Sequence, residues 1–244
     1  MPRPEKISIG VLFGRPNFAV SEAIGEISEA VIERMDGKTL DEKFFTEFSV
    51  QPGISADFRS ADKTRILHLD TQNLIFTRDH YNQAHTADWK KISAEFNSLW
   101  GIIKQTVKLH EIVRIGIVSE YRIATENNDQ SNILLSKLTK LASTGHKKKF
   151  ILTYETYYPV STNVEFSPEN CEFINVIESF YDSTQDAHHG QDGYMNITLD
   201  VQHYYNPTIP SAKCTDEISK LNGIFLNHEK TLKEKIITLG LING

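Results

Sequence analysis

Cysteines and long apolar segments are scarce in this chain. Only Cys171 and Cys214 are present among the 244 residues, which is too few for a disulfide framework, and they lack the spacing of a metal-binding motif. The longest apolar runs fall well short of the ~20 residues that cross a bilayer, and the amino-terminal stretch has no apolar core of a signal peptide. We therefore expect a soluble, cytoplasmic protein that does not enter a membrane.

Signatures of the common catalytic chemistries are also lacking. The sequence contains no glycine-rich phosphate loop, no G-x-S-x-G nucleophile elbow and no H-E-x-x-H zinc motif. It also offers no recognisable set of nucleophile, base and orienting group. We therefore expect no cofactor, and the sequence favours a protein that is not an enzyme without deciding the question.

Positive charge is in deficit. Lysine and arginine together number 26, against 32 aspartates and glutamates, so the formal net charge is −6. That balance provides no overall attraction for a phosphate backbone. The basic run at 146–149 precedes an apolar segment and has the character of a solvated loop. We therefore do not expect a nucleic-acid partner.

What the chain does contain is the alternation of half-buried strands, and Val113–Ile123 (VRIGIVSEYRI) shows it most clearly. Successive side chains of a strand point to opposite faces. One side would carry Val113, Ile115, Ile117, Ser119, Tyr121 and Ile123, and the other Arg114, Gly116, Val118, Glu120 and Arg122. The first side is predicted to be buried, and the second is a candidate surface.

Two long segments have the apolar spacing of amphipathic helices, 87–110 and about 215–239. Shorter helices are predicted from Val20 to Met35 and around 133–141. Strands are predicted over 7–13, 64–70, 73–78, 111–123, 149–158, 171–182 and 193–205, while 40–50 is ambiguous between helix and strand.

Short connections between neighbouring strands indicate antiparallel pairing, so the predicted fold class is α+β rather than a doubly wound parallel sheet. Each half of the chain holds several strands and one long amphipathic helix. We therefore expect two similar halves, an N-terminal α+β half at 1–145 and a C-terminal β-β-β-α half at 146–244, with one continuous domain as the alternative.

A polar sheet surface is the main candidate for a binding site. The same alternation places hydroxyl, amide and charged side chains of several strands on one side, and tyrosine adds contact area with a polar tip. The predicted binding surface consists of Arg114, Glu120, Arg122, Glu155, Tyr157, Asp200 and Tyr204. Glu178 is expected to belong to the same polar face.

The connection 183–193 is longer than a hairpin needs and is the second candidate. His188, His189 and Asp192 offer nitrogen and oxygen atoms that could bind a divalent metal. Adjacent histidines on one loop rarely reach the same ion, however, and long loops often contact partners. Both a metal site and a partner-binding loop therefore remain open.

Several short motifs resemble a family of sporadically distributed bacterial proteins of unassigned function. Arg114-Ile115-Gly116-Ile117 is similar to a strand of that family, with Ser119-Glu120 intervening before Tyr121-Arg122-Ile123. Further similar motifs are Glu22-Ala23, Tyr81 to Trp89, Leu199-Asp200-Val201 and Asn222 to Phe225. The resemblance implies a two-part α+β fold and a patchy occurrence that is compatible with defence or another accessory role.

Three functional hypotheses follow. The leading one is a non-enzymatic accessory or binding protein, a defence-associated subunit that recognises a protein partner. The first alternative is a metal-dependent hydrolase or nuclease that uses Asp200, Glu155 and Glu178 with His188 or His189. The second alternative is a small-ligand-binding protein, in which the helix at 215–239 closes over a curved sheet. The oligomeric state is not predicted.

Overall fold

The computed structural model describes residues 4–35, 43–80, 88–124, 130–139, 150–161, 165–182 and 194–242. The first part of the chain forms β1 (Lys6–Phe13), α1 (Phe18–Glu22), α2 (Ile24–Met35), β2 (Glu47–Gln51), β3 (Ser55–Arg59), β4 (Arg65–Asp70), β5 (Asn73–Asp79) and α3 (Trp89–Thr106). The second part forms β6 (Ile112–Ala124), α4 (Gln130–Thr139), β7 (Ile151–Pro159), β8 (Phe173–Asp182), β9 (Tyr194–Ile209) and α5 (Cys214–Thr238).

All the described strands belong to one sheet, in the order β2-β3-β4-β5-β1-β6-β9-β8-β7. Every neighbouring pair is antiparallel. The prediction of an α+β protein built on antiparallel pairing is therefore confirmed. The predicted division at 145/146 lies outside the described residues, and the sheet itself runs without a break from β2 to β7.

Two of these strands were not predicted. β2 (EFSVQ) lies in the ambiguous segment 40–50 and beyond, and β3 (SADFR) had no prediction. Both have only five residues, and β2 is exposed along its whole length. Strands this short carry little periodicity of their own, so they belong to the sheet through pairing, β3 with β4 and β2 with β3.

The helices cover one face of the sheet. Ile9 of β1, Ile117 of β6 and Val201 of β9 follow one another across the centre of that face and are fully buried. α3 packs on β1 and β5, α5 on β6 and β9, and α4 on β8 and β9. No described helix packs on the opposite face, which we call the open face, although Phe166 contacts Tyr157 and Phe173 at its β7 edge.

The two predicted sides of β6 are found as such, with one shift at the start. Ile115, Ile117 and Tyr121 are buried under the helices, as predicted. Val113 is only half-buried, while its neighbour Ile112 is fully buried. The pairing of β6 with β9 is irregular between Ile112 and Arg114, and this irregularity moves the alternation by one residue.

Both long helices are found where the apolar spacing predicted them. In α3 the apolar residues Ile92, Phe96, Leu99 and Ile103 are fully buried. Asp88 caps the helix by accepting a hydrogen bond of 2.9 Å from the Lys90 amide. The helix ends at Thr106 because Val107 adopts an extended backbone. α5 buries the apolar residues Ile218, Leu221, Phe225, Leu232 and Ile236, which recur at helical spacing along it.

Buried polar contacts attach both helices to the sheet. On α5, Glu229 accepts a hydrogen bond of 2.6 Å from the hydroxyl of Tyr121, which also receives one of 3.0 Å from Ser119. On α3, Glu95 lies between Arg65 of β4 and Arg78 of β5, with N–O distances of 3.5 and 3.6 Å. These contacts fix the position of the helix layer on the covered face.

Candidate functional site: the open face of the sheet

All seven residues of the predicted binding surface lie on the open face. Arg114 faces Tyr204 across β6 and β9, and on β7 Glu155 and Tyr157 face Ile177 and Asn175 of β8. The remaining members are on the same side because they belong to the same alternation: Asp200 faces Val118, Glu120 faces Thr198 and Arg122 faces Asn196. The sheet therefore brings together residues that are up to 90 positions apart in sequence.

Arg114 is held in a polar network with two residues of β9. Its Nη1 donates to the Tyr204 hydroxyl at 3.0 Å and to Gln202 Oε1 at 3.4 Å. The Tyr204 hydroxyl in turn donates to Gln202 Oε1 at 2.9 Å. The guanidinium carbon lies 5.5 Å from the centre of the Tyr204 ring, a cation–π distance. These contacts hold the Arg114 side chain in one position.

Asp200 stands next to this network in an unusual environment for a carboxylate. Its Oδ2 accepts a hydrogen bond of 2.5 Å from Gln202 Nε2, while its Oδ1 is shielded from solvent and has no hydrogen-bond partner among the described residues. Val118 and Ile177 face it from the two neighbouring strands. Burial raises the pKa of Asp200 above its ordinary value, although the hydrogen bond from Gln202 and the charge of Arg114 act in the opposite direction.

A depression lies beside Asp200 at the centre of the open face. Gly10 of β1 faces Gly116 of β6, and the two missing side chains leave a hollow of 170 Å³. Its lining includes Ser8, Ile75, Arg114, Val118, Asp200 and Gln202. We call this hollow the central depression. Glycines in strand interiors often mark places where another group approaches the backbone closely.

Arg122 and Glu120 line a second, more charged hollow near the end of the same strands. This end cleft has a volume of 320 Å³ and also contains Glu5, Lys6 and Asp79. Lys6 bonds Glu120 at 2.9 Å, and Arg122 lies 3.9 Å from Glu5. Burial raises the pKa values of Glu5 and Asp79 above their ordinary values, against the influence of the nearby cations.

An aromatic row extends from Arg114 towards the β7 edge. Tyr204 stacks on Phe173 with ring centres 4.7 Å apart, and Phe173 meets Tyr157 edge-on at 5.4 Å. The Tyr157 hydroxyl donates to Glu155 at 2.9 Å. The row therefore links four of the predicted residues through Phe173, a residue that the sequence reasoning did not single out although its place in a strand alternation was visible.

A charged group on the β3–β4 side of the open face was also not predicted. His68 Nδ1 lies 2.8 Å from Asp57, and its Nε2 lies 3.1 Å from Asp70. Partial burial disfavours the charged imidazole, but the two carboxylates outweigh it and raise the pKa of His68 above its ordinary value of 6.5. Asp57 and His68 are eleven residues apart, and only the hairpin of β3 and β4 brings them opposite each other.

Glu178 does not belong to the open face. It accepts a hydrogen bond from the Tyr154 hydroxyl and lies 2.7 Å from Lys235 of α5, on the covered face. Its expected place beside Asp200 and Glu155 is therefore wrong, because it pairs with Leu199 and so points to the opposite side of the sheet. These three carboxylates cannot converge on one metal ion from opposite faces.

His188, His189 and Asp192 lie outside the described residues, so the metal site suggested for them stays a prediction. Within the described ranges, no group of three or more histidine, cysteine, aspartate or glutamate side chains is arranged to hold a metal ion. No helix in that part of the chain is both long enough and apolar enough to cross a membrane.

Comparisons of the sequence with known proteins found no match. No protein-family model matches the sequence, and no curated protein matches it. The resemblance to the sporadically distributed bacterial family therefore stays a prediction.

Proposed function

We propose that the protein is a binding protein that uses the open face to recognise a protein partner. The observation that carries this proposal is that Arg114, Glu120, Arg122, Glu155, Tyr157, Asp200 and Tyr204 share one face that no described helix covers. Arginine and tyrosine are the residue types that dominate the centres of protein interfaces.

The dimensions of the open face suit such a role. Nine strands about 4.8 Å apart make a face roughly 40 Å wide, and strands of ~20 Å give it roughly 800 Å², which is the area that one partner contributes to a standard interface. A small ligand would contact only a fraction of that area. A folded partner would contact most of it.

The charge of the open face indicates a partner with a predominantly basic surface. In the described strands seven acidic residues lie on it, namely Glu47, Asp57, Asp70, Asp79, Glu120, Glu155 and Asp200. Only four lysines and arginines accompany them in the described strands, namely Lys6, Arg59, Arg114 and Arg122. Complementary charge across an interface speeds encounter and excludes wrong partners.

Charge reversal on the two sides of the sheet tests the proposal. The test variant is Glu47→Lys/Glu155→Lys, and both positions are exposed on the open face. The control is Glu29→Lys/Glu234→Lys, which makes the same charge change at exposed positions of α2 and α5. Native mass spectrometry of protein purified gently from its host identifies the partner, and titration calorimetry then gives its affinity for each variant.

The open-face variant should lose at least about tenfold in affinity, whereas the helix variant should stay within about threefold. Raising the salt concentration should weaken the wild-type complex, because exposed charges are screened. Equal loss in both variants, or loss in the helix variant alone, would contradict recognition through the open face.

A small-ligand-binding protein is the second candidate. The end cleft of 320 Å³ lies at the lower end of the ~300–1,000 Å³ range of small-molecule pockets. Its mixture of Glu5, Asp79 and Arg122 would suit a zwitterion such as a free amino acid. A ligand that co-purifies at a defined mass and is lost from Asp79→Asn protein would favour this candidate over the first.

We also propose that the chain is an internal duplication. Apart from α1 and β2, the unit β1-α2-β3-β4-β5-α3 has the same element order as β6-α4-β7-β8-β9-α5. The strands β1 and β6 meet with Gly10 opposite Gly116, Ile9 opposite Ile117 and Val11 opposite Ile115. In both closing helices an asparagine with a shielded, unbonded Oδ1 precedes an aromatic residue by three positions, in FNSLW (96–100) and LNGIF (221–225).

Superposition of the two units in a crystal structure of the protein tests the duplication. Residues 6–106 should superpose on 112–238 with Gly10 on Gly116 and Asn97 on Asn222. A best superposition in any other strand register would contradict it. The predicted two similar halves would then divide near 107–111 rather than at 145.

Cytoplasmic location and a defence-associated role stay proposals. The first is supported by Cys171 and Cys214, which are both free thiols. The second rests only on the resemblance to the bacterial family. Identification of a partner encoded next to this protein in its host genome would support the second, and a partner from core metabolism would contradict it.

A further inference from the structure

We infer that the central depression is an anchor pocket for one arginine side chain of the partner, with the Asp200 carboxylate as its acceptor. This inference rests on the proposed function and narrows it to one pocket and one chemical group. Asp200 Oδ1 is the starting point, since it is a shielded carboxylate oxygen for which the described part of the chain provides no hydrogen-bond donor. Buried polar atoms are nearly always hydrogen-bonded, and an exception calls for an explanation.

The surroundings of Asp200 do not supply the missing partner. Gln202 uses its amide nitrogen on Oδ2 and its oxygen on Arg114 and Tyr204. The positive charge of Arg114 acts on Asp200, but the hydrogen bonds of Arg114 go to Tyr204 and Gln202. No ion pair joins Asp200 to a cation within the described residues. A donor from outside the chain would complete the arrangement.

Oδ1 lies next to the central depression, so a donor that bonds it would enter there. A Cβ placed on Gly116 would stand 3.9 Å from Asp200 Oδ1 and 3.5 Å from Gln202 Cγ. The oxygen therefore lies beside the space that a side chain at Gly116 would otherwise occupy, and a rotation of the Asp200 carboxylate about χ2 exposes it to an incoming donor. Asp200 and Gly116 both line the same hollow.

The size of the depression selects a side chain rather than a whole ligand. Its 170 Å³ falls below the ~300 Å³ at which small-molecule pockets begin. A single anchoring side chain of a protein partner needs no larger volume. Hot spots of interfaces are anchors of this kind, inserted in pockets from which the surrounding contacts exclude water.

The lining favours arginine over the other anchors. Val118 and Ile75 offer apolar walls for the methylene stem, and the two facing glycines leave a flat floor on which a planar guanidinium can lie. Asp200 offers the negative charge, reinforced electrostatically by Glu155. An anionic anchor would meet both carboxylates, and a purely apolar anchor would leave Oδ1 unpaired.

Nuclear magnetic resonance on the full-length protein gives a direct test. The probe is N-acetyl-arginine amide, and the matched control is N-acetyl-citrulline amide, which has nearly the same shape without the charge. The backbone amides of Gly10 and Gly116 serve as reporters because glycine amides are well separated in the spectrum. The arginine probe should shift both signals with a Kd of ~10 mM or tighter.

Two variants locate the effect. Asp200→Asn should weaken the probe at least about tenfold, and Glu155→Gln, which removes a nearby charge outside the depression, should weaken it by less than about threefold. A melting curve for each variant shows that it is folded. Equal shifts from the citrulline compound, unchanged binding to Asp200→Asn protein, or no shift at about 100 mM probe would each overturn the inference.

Binding measurements with the partner that native mass spectrometry identifies distinguish this inference from the proposed function. If Asp200→Asn protein binds the partner as well as the wild type while Glu47→Lys/Glu155→Lys protein does not, the open face is the interface and the arginine anchor is wrong. If neither variant affects binding, the proposed function fails as well.

Discussion

Gly10 and Gly116 lie directly opposite each other on the two central strands of the sheet. Neither residue has a positive φ, and a Cβ added to either meets its neighbours only at ordinary contact distances of 3.5 Å or more. The backbone therefore does not require glycine at these positions. The absence of side chains at Gly10 and Gly116 leaves the central depression open, and we connect the two glycines with binding rather than with backbone conformation.

Gly116→Ala should therefore separate stability from binding. The protein should be as stable as the wild type or more stable by up to about 1 kcal/mol, because alanine loses less backbone entropy in a strand than glycine. Binding of the arginine probe should weaken several-fold, because the added methyl group occupies the floor beside Asp200 Oδ1.

Urea unfolding and the probe titration measure these two effects. Gly223→Ala on α5 is the control, since an added Cβ there meets nothing within 4 Å. It should gain a similar amount of stability without any change in probe binding. A Gly116→Ala protein that unfolds more easily would mean that these glycines serve the backbone after all.

Glu95→Ala should be the most destabilising of the substitutions considered. Glu95 is the carboxylate between Arg65 and Arg78 on the covered face, where all three side chains are less than a tenth exposed. Its removal leaves two guanidinium groups buried with less compensation, which costs roughly 3–5 kcal/mol in comparable cases. Denaturant unfolding followed by circular dichroism measures the loss.

Glu29→Ala on the exposed side of α2 is the matched control for that experiment. A surface substitution of this kind should stay within about 0.5 kcal/mol of the wild type. Similar effects of Glu95→Ala and Glu29→Ala would show that Arg65 and Arg78 do not depend on Glu95.

Tyr121→Phe should loosen α5 from the sheet. The change removes the hydroxyl that donates to Glu229 at 2.6 Å and leaves the aromatic ring in place. Hydrogen bonds to charged groups contribute about 1.5–3 kcal/mol, and Glu229 keeps its ion pair of 3.0 Å with Lys233, so a loss of about 1–2 kcal/mol is expected.

Hydrogen exchange should show faster opening of α5 in the Tyr121→Phe protein than in the wild type. Tyr158→Phe, at a tyrosine that is 45% exposed, should leave both stability and exchange unchanged. An effect of Tyr121→Phe that is spread evenly over the sheet would argue against a specific attachment of α5 through this bond.

His68 should make stability depend on pH near neutrality. Its pKa is raised in the folded protein, because the hydrogen bonds with Asp57 and Asp70 outweigh partial burial. The stabilisation is therefore fully present below the ordinary pKa of 6.5 and is lost as the pH rises through the higher, folded-state pKa. Asp70, whose pKa is lowered, acts in the acidic range instead.

Thermal unfolding of the wild type and of His68→Gln between pH 5.5 and 9 tests this, because the variant lacks the titrating group. The wild type should be more stable than the variant at the acidic end of this range, and the difference should shrink towards the alkaline end. A difference that grows with pH would show that the folded-state pKa of His68 is lowered.

Much of the fold could be read from local pattern. The long helices α3 and α5 and the strands β1, β4, β5, β6, β8 and β9 all appear within a few residues of their predicted bounds, because each is long enough to repeat its apolar period several times. β2 and β3 have five residues each and could not be recognised in that way.

The members of the candidate site were also predictable, but their arrangement was not. Alternation within a strand shows which residues share a side, and this placed Arg114, Asp200 and Tyr157 correctly on a polar side. Glu178 was assigned to the wrong face, although it too lies in a strand. The register between strands decides which sides coincide, and that register depends on pairings between residues far apart in the chain.

By itself, then, the sequence determined the class of the fold, the long amphipathic elements and the two-sided character of β6, because these depend on the periodicity of neighbouring residues. Only the tertiary structure decided that Gly10 meets Gly116, that His68 lies between Asp57 and Asp70, and that no described residue donates to Asp200 Oδ1. Such features arise from contacts between strands separated by loops and helices, and no local pattern specifies them.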